Sequence, residues 1–134
     1  MTASIFVPLE NFTGFSFETL DRLMQSKGQL IARACGVGEV KTAIEDGCVR
    51  FELPKLSEDT IPAASDLFAS IVAYVTAHPH LHSRSRTSGN DRYAFRCFML
   101  RLGLSGDAHR QTRLTLLANL PGDAAFLHGR PPRT

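Results

Sequence analysis

The sequence predicts an α+β fold: a small antiparallel β-sheet, made of one strand plus a hairpin, packed by four or five helices and closed by a C-terminal αα-hairpin. Three observations predict it. Asp46-Gly47 separates the short runs Val40–Glu45 and Cys48–Leu53, and that dipeptide favours the positive φ of a type I′ hairpin turn. Leu67, Phe68, Ile71, Val72 and Val75 recur at helical spacing, which places one apolar stripe on a sheet. Two further apolar helical patterns, each opened by an aspartate, are joined by Leu104-Ser105-Gly106, as in a tight αα unit.

The first strand is expected in Ser4–Leu9, a β-branched and aromatic run that Pro8 confines to an edge or a strand end. After Thr13-Gly14, Ser16 is placed to cap a helix whose stripe is Phe17, Leu20, Leu23 and Met24. Gly28 interrupts that stripe. Leu30, Ile31 and Ala34 then continue as a second short helix that Gly36 and Gly38 stop. In the hairpin, Val49, Phe51 and Leu53 alternate with Arg50 and Glu52, the period of a strand with one buried face. Pro54 ends it. Ser57–Thr60 supply cap residues for the main helix, which begins at Ile61-Pro62 and ends near His78-Pro79. Residues 79–90 mix Ser, Arg, His, Gly and Asn without periodicity and read as a loop. Asp91 opens a helix with Phe95, Phe98, Met99 and Leu102 inward, closed by Gly103, and Asp107 opens another running through Leu114 and Leu117 toward Leu120.

No repeat or linker divides the chain, so residues 1–134 are read as a single domain with a flexible tail over 129–134. With 43% apolar and 21% charged residues the composition is that of an ordinary globular domain rather than a disordered one. Neither a secretory leader pattern nor an unbroken 18-residue apolar run is present, so a cytoplasmic protein without membrane contact is expected. Three cysteines, Cys35, Cys48 and Cys97, are an odd number without C-x-x-C spacing, which argues for reduced thiols rather than a disulfide framework or zinc knuckle.

The net charge of +2 hides a division. Residues 1–77 contain six Lys and Arg against ten Asp and Glu, whereas residues 78–134 contain nine Arg, no Lys and three Asp. All five histidines lie in the second part. A guanidinium is planar and forked, so an arginine-only basic segment suits phosphates and carboxylates. Candidate binding residues are therefore Arg84 and Arg86 in the loop, Arg92 and Arg96 on the first helix of the αα unit, and His109, Arg110 and Arg113 on the second. Arg92 with Arg96, and His109 with Arg113, are i, i+4 neighbours that form basic ridges opposite the apolar stripes. Arg101 lies about half a turn away. The bland alternative is a solvated basic face that pairs in part with the acidic half.

Other motifs carry less. His78, His80 and His82 alternate and, if extended, would point one way toward a metal ion, but no fourth ligand follows, and a polar loop is the simpler reading. Gly36-Val37-Gly38-Glu39 lacks the third glycine and the preceding strand of a dinucleotide site. Cys97 falls within a helix as a small core residue rather than a nucleophile. Paired carboxylates, a G-x-S-x-G elbow and a P-loop are absent from the sequence, so no catalytic residue, cofactor or metal is assigned and a non-enzymatic role is expected.

The run Asn90-Asp91-Arg92-Tyr93-Ala94-Phe95-Arg96-Cys97-Phe98-Met99-Leu100-Arg101-Leu102-Gly103 leads into Gly106-Asp107 and Arg113. Leu116-Leu117, Asn119-Leu120, Gly122 and Ala125-Phe126 follow. Together these residues resemble a family usually labelled "virulence protein" or "virulence-related protein", encoded on conjugative transposons and related mobile elements of gut Firmicutes. Pro8-Leu9, Phe12-Thr13 and Leu20 extend the resemblance over nearly the whole chain; the His78–Arg86 segment departs from it. That label carries no established activity or catalytic residues, so the resemblance implies only a setting in mobile DNA. Three expectations follow from it together with the residues. The first is an anti-CRISPR-like inhibitor of host defence that binds an effector nucleoprotein through the arginine face. The second is a DNA- or RNA-binding regulator of element maintenance or transfer, for which four or five phosphate contacts give a log–log salt slope near about −4. The third is a metal-dependent enzyme using His78, His80 and His82. A homodimer is compatible with each.

Overall fold

The computed structural model describes residues 2–9, 14–45, 47–78 and 91–120. Its elements are β1 (Thr2–Pro8), α1 (Gly14–Cys35), β2 (Lys41–Glu45), β3 (Cys48–Pro54), a 3-10 turn (Glu58–Thr60), α2 (Ile61–Ala77), α3 (Asp91–Arg101), a second 3-10 turn (Asp107–His109) and α4 (Arg110–Leu117). The α+β architecture is the expected one. Three antiparallel strands run in the order β1-β3-β2, with Ile5 opposite Phe51 and Val7 opposite Val49 on one side of β3, and Ile44 opposite Val49 on the other. Glu45 and Cys48 face each other across a two-residue turn, where Gly47 has φ of +77°, the left-handed conformation a glycine adopts without strain. Pro8 ends an edge strand, so its missing N–H removes nothing from the sheet interior.

Val49, Phe51 and Leu53 project to the helical side and are fully buried. There the Phe51 ring stacks on Phe68 of α2 at 4.3 Å between centroids. α2 buries Ala63, Ala64, Leu67, Phe68, Ile71, Val72 and Val75. The stretch Glu58–Ala77 is apolar and long enough to cross a membrane by length and composition, which the absence of an unbroken apolar run had concealed. In this fold those seven buried side chains of α2 are core, whereas Ile61, Ala69, Ala73 and Ala77 are exposed. Phe95, Phe98 and Met99 of α3 and Leu116 of α4 complete the same core.

Several expectations change. Phe17 and Leu114, expected on inward stripes, are 46% and 54% exposed. Ser57 and Thr60 make no side-chain cap bond, and Asp107 heads a 3-10 turn before α4, which begins at Arg110. The two short helices foreseen around Gly28 are one 22-residue helix, α1. A β-carbon built at Gly28 would meet open space, so this glycine weakens local helix propensity without breaking a helix that its buried Leu20, Leu23, Ile31 and Ala34 hold in place. Ser16 is not a cap; it lies inside α1 and is buried. Elsewhere, the helix stops match. At the end of α1 the Gly36 N–H donates to Arg33 and the Val37 N–H to Ala32; at the end of α3 Gly103 and Leu104 do the same toward Leu100 and Met99. Both ends are Schellman motifs with a left-handed glycine and a buried apolar residue after it, Val37 or Leu104. The loop expected over 79–90 and the tail over 129–134 lie outside the described residues.

Candidate functional site

The sequence's basic residues divide by how the fold uses them. Arg92, half-buried on α3, directs its Nε–H between two carbonyl oxygens at and just past the end of α4, those of Leu117 at 3.1 Å and Leu120 at 2.9 Å. Carbonyls at a helix C-terminus have no intrahelical donor, and a guanidinium there satisfies them and opposes the negative end of the dipole. Arg113 on α4 turns back instead, donating from Nη1 to Leu104 at 3.0 Å and Gly106 at 2.8 Å, and so clamps the turn between the two helices. His109 sits where α4 begins. Its Nδ1 lies 2.8 Å from Asp66 Oδ2 of α2, and the same oxygen accepts the Thr112 hydroxyl at 2.8 Å. A carboxylate can only accept, so Nδ1 carries the proton.

Among the described residues, Arg96, Arg101 and Arg110 take no part in side-chain hydrogen bonds or ion pairs. Arg96 is half-buried; Arg101 and Arg110 are exposed. Arg84 and Arg86 lie outside the described residues. The spacing that placed Arg92, Arg96, His109 and Arg113 on basic ridges is present, but the structure engages Arg92, His109 and Arg113 with the fold itself. Periodicity could not distinguish these roles, because the acceptors are main-chain carbonyls and an aspartate 43 residues away from His109.

Other contacts cross between the halves as well. Arg33 of α1 donates from Nη1 to Asp91 Oδ2 of α3 at 2.7 Å, and Asn119 Nδ2 donates to Ala34 at the end of α1 at 2.8 Å. Lys27 lies over the Phe98 ring, 5.6 Å from its centroid. These contacts place α3 and α4 on α1; Leu114 is 54% exposed and Arg110, four residues before it, is exposed too.

A cleft of about 490 Å³ opens between α1 and the connection to β2, lined by Met24, Gln25, Gly28, Gln29, Glu39 and Val40 among others. Sequence reasoning missed it, since it forms only where the connection folds back along α1. Its side-chain donors and acceptors are two amides, the Ser26 hydroxyl and one carboxylate, suited to recognition. No group of three or more His, Cys, Asp or Glu side chains among the described residues converges as a metal site. His78 is exposed and stands 4.6 Å from the Tyr74 ring; His80 and His82 lie outside the described residues. Cys48 and Cys97 are half-buried, while Cys35 is buried and desolvation pushes its thiol up to about 12.

No family model, curated protein or solved structure matches this chain.

Proposed function

We propose that this chain is a small, non-enzymatic accessory protein of a mobile element that inhibits a host defence by binding an effector nucleoprotein, in the cytoplasm, through an arginine face. One observation supports the reading best: Arg92, Arg113 and His109 fasten α3 and α4 to the rest of the molecule, while Arg96, Arg101 and Arg110 on those same helices have no such acceptor among the described residues. Guanidinium groups held on anchored helices lose little further freedom on binding, which favours a specific acidic surface over a diffuse one.

The test is capture of a characterised CRISPR effector from lysate on the immobilised protein, with and without nuclease. Retention of an identified effector after nuclease treatment, lost in the triple variant R96A/R101A/R110A, is the expected result. This variant is cleaner than one that removes Arg92 or Arg113, whose loss would also loosen the helices. Exposed arginines favour a second reading, a regulator that binds naked DNA or RNA. Three phosphate contacts then give a log–log salt slope of about −3, and nuclease treatment abolishes all capture. Capture that survives the triple variant unchanged would remove the arginines from either reading.

A further inference from the structure

We propose that β2 is the surface through which two copies of this chain associate, pairing antiparallel about a two-fold axis at Ala43. β2 is the outer strand in the order β1-β3-β2, so one of its edges is bonded to β3 and, among the described residues, the other is open. Four of its five residues are exposed and only Ala43 is half-buried. Ile44, on the side of the sheet that carries the helices, is left 43% exposed although it lies opposite the fully buried Val49. An open strand edge presents unpaired N–H and C=O groups that another strand can bond.

The charges of the strand choose the occupant and the register. Lys41-Thr42-Ala43-Ile44-Glu45 is complementary to its own reverse. With Ala43 facing Ala43 of the second copy, Lys41 meets Glu45 of the second copy and Glu45 meets Lys41 of the second copy, giving two opposite-charge pairs on one face. On the other face Ile44 lies beside Thr42 of the second copy, whose methyl group extends the apolar cover. Ala43 at the axis adds no bulk where two side chains come closest. The alternation of the ladder agrees: residues 41 and 45, or 42 and 44, share the same orientation of backbone groups, so outward groups meet outward groups. A slip of two residues in one direction sets Glu45 against Glu39, and in the other against Ala43; a parallel arrangement stacks like charges.

The existing ion pairs leave both residues able to make this contact. Lys41 is 4.0 Å from Glu39, with both side chains about two-thirds exposed at 67% and 64%. Glu45 is 3.1 Å from Arg50, which also holds Glu52 at 3.2 Å, so in the joined sheet carboxylates and cations alternate along a row: Glu52, Lys41, then Glu45 of the second copy. The product is one continuous six-stranded sheet. The opposite edge, β1, carries no charged residue and ends in Pro8, so nothing there selects a register or a partner.

A five-residue edge makes a small interface, and sedimentation velocity on the wild-type chain is expected to show a monomer–dimer equilibrium between about 10 µM and 1 mM that weakens with salt. K41E or E45K alone turns both cross-strand pairs repulsive and should weaken the dimer about ten- to thirty-fold. Mixing the two variants is decisive, because one strand then carries two carboxylates and the other two ammonium groups, and only the heterodimer is complementary. The mixture should associate where neither variant does, with far-UV circular dichroism confirming that both are folded. A wild-type chain that stays monomeric at about 1 mM overturns the proposal. So does a dimer equally strong in both single variants, or folded variants that fail to associate when mixed.

Discussion

The sheet-side core and the C-terminal helix pair are held by different physics. Between β3 and α2 the contact is apolar and continuous, with Phe51 stacked on Phe68 and both rings at 0% exposure. α4, only eight residues long, has two buried residues, Thr112 and Leu116, one of them polar. It is positioned from both ends by directional bonds: Asp66 receives His109 and Thr112 at its start, and Arg92 collects the carbonyls of Leu117 and Leu120 at its finish. A short helix cannot bury enough apolar surface to fix its own orientation, so side-chain hydrogen bonds do that work. The same residue type therefore has opposite meanings within one turn of helix: Arg113 is part of the fold, while Arg110 is exposed on its surface.

Substitutions can break or sharpen that contrast. Phe68→Ala, which empties the stack on Phe51, should cost about 3–5 kcal/mol in chemical denaturation, the largest effect in the molecule. Asp66→Ala leaves His109 and Thr112 without their acceptor, and because the Asp66 and His109 side chains are about a third exposed, water replaces part of the loss; about 1–2 kcal/mol is expected. Hydrogen exchange should locate that loss in α4 rather than in the sheet. Arg92→Ala should cost about 1 kcal/mol, whereas Arg110→Ala should stay within about 0.5 kcal/mol, and equal effects from the two would erase the distinction between anchoring and exposed arginines. The smallest effect is chemical. Because burial pushes its thiol up to about 12, Cys35 should resist alkylation in the native chain at pH 8 while Cys48 and Cys97 react, and mass spectrometry of the labelled peptides checks this.

Local pattern was enough for much of the fold. The hairpin at Asp46-Gly47, the inward face Val49, Phe51 and Leu53, the stripe of α2 and the glycine stops after α1 and α3 each follow from residues a few positions apart. Backbone conformation and side-chain period are short-range properties, so a single sequence displays them. Gly28 misled because its helical cost is local while the burial that overrides it is not.

What only the tertiary structure decided is which charged residues face inward. The sequence places nine arginines and no lysine after residue 77 and sets some of them at helical spacing. That Arg92 reaches Leu117 and Leu120, that Asp66 and His109 meet across 43 positions, and that β2 is an open edge among the described residues depend on how the elements dock. The reason is physical: a guanidinium has the same sequence signature whether its acceptor is a helix-end carbonyl of its own chain or a phosphate of another. Only the three-dimensional position of that acceptor tells the two apart.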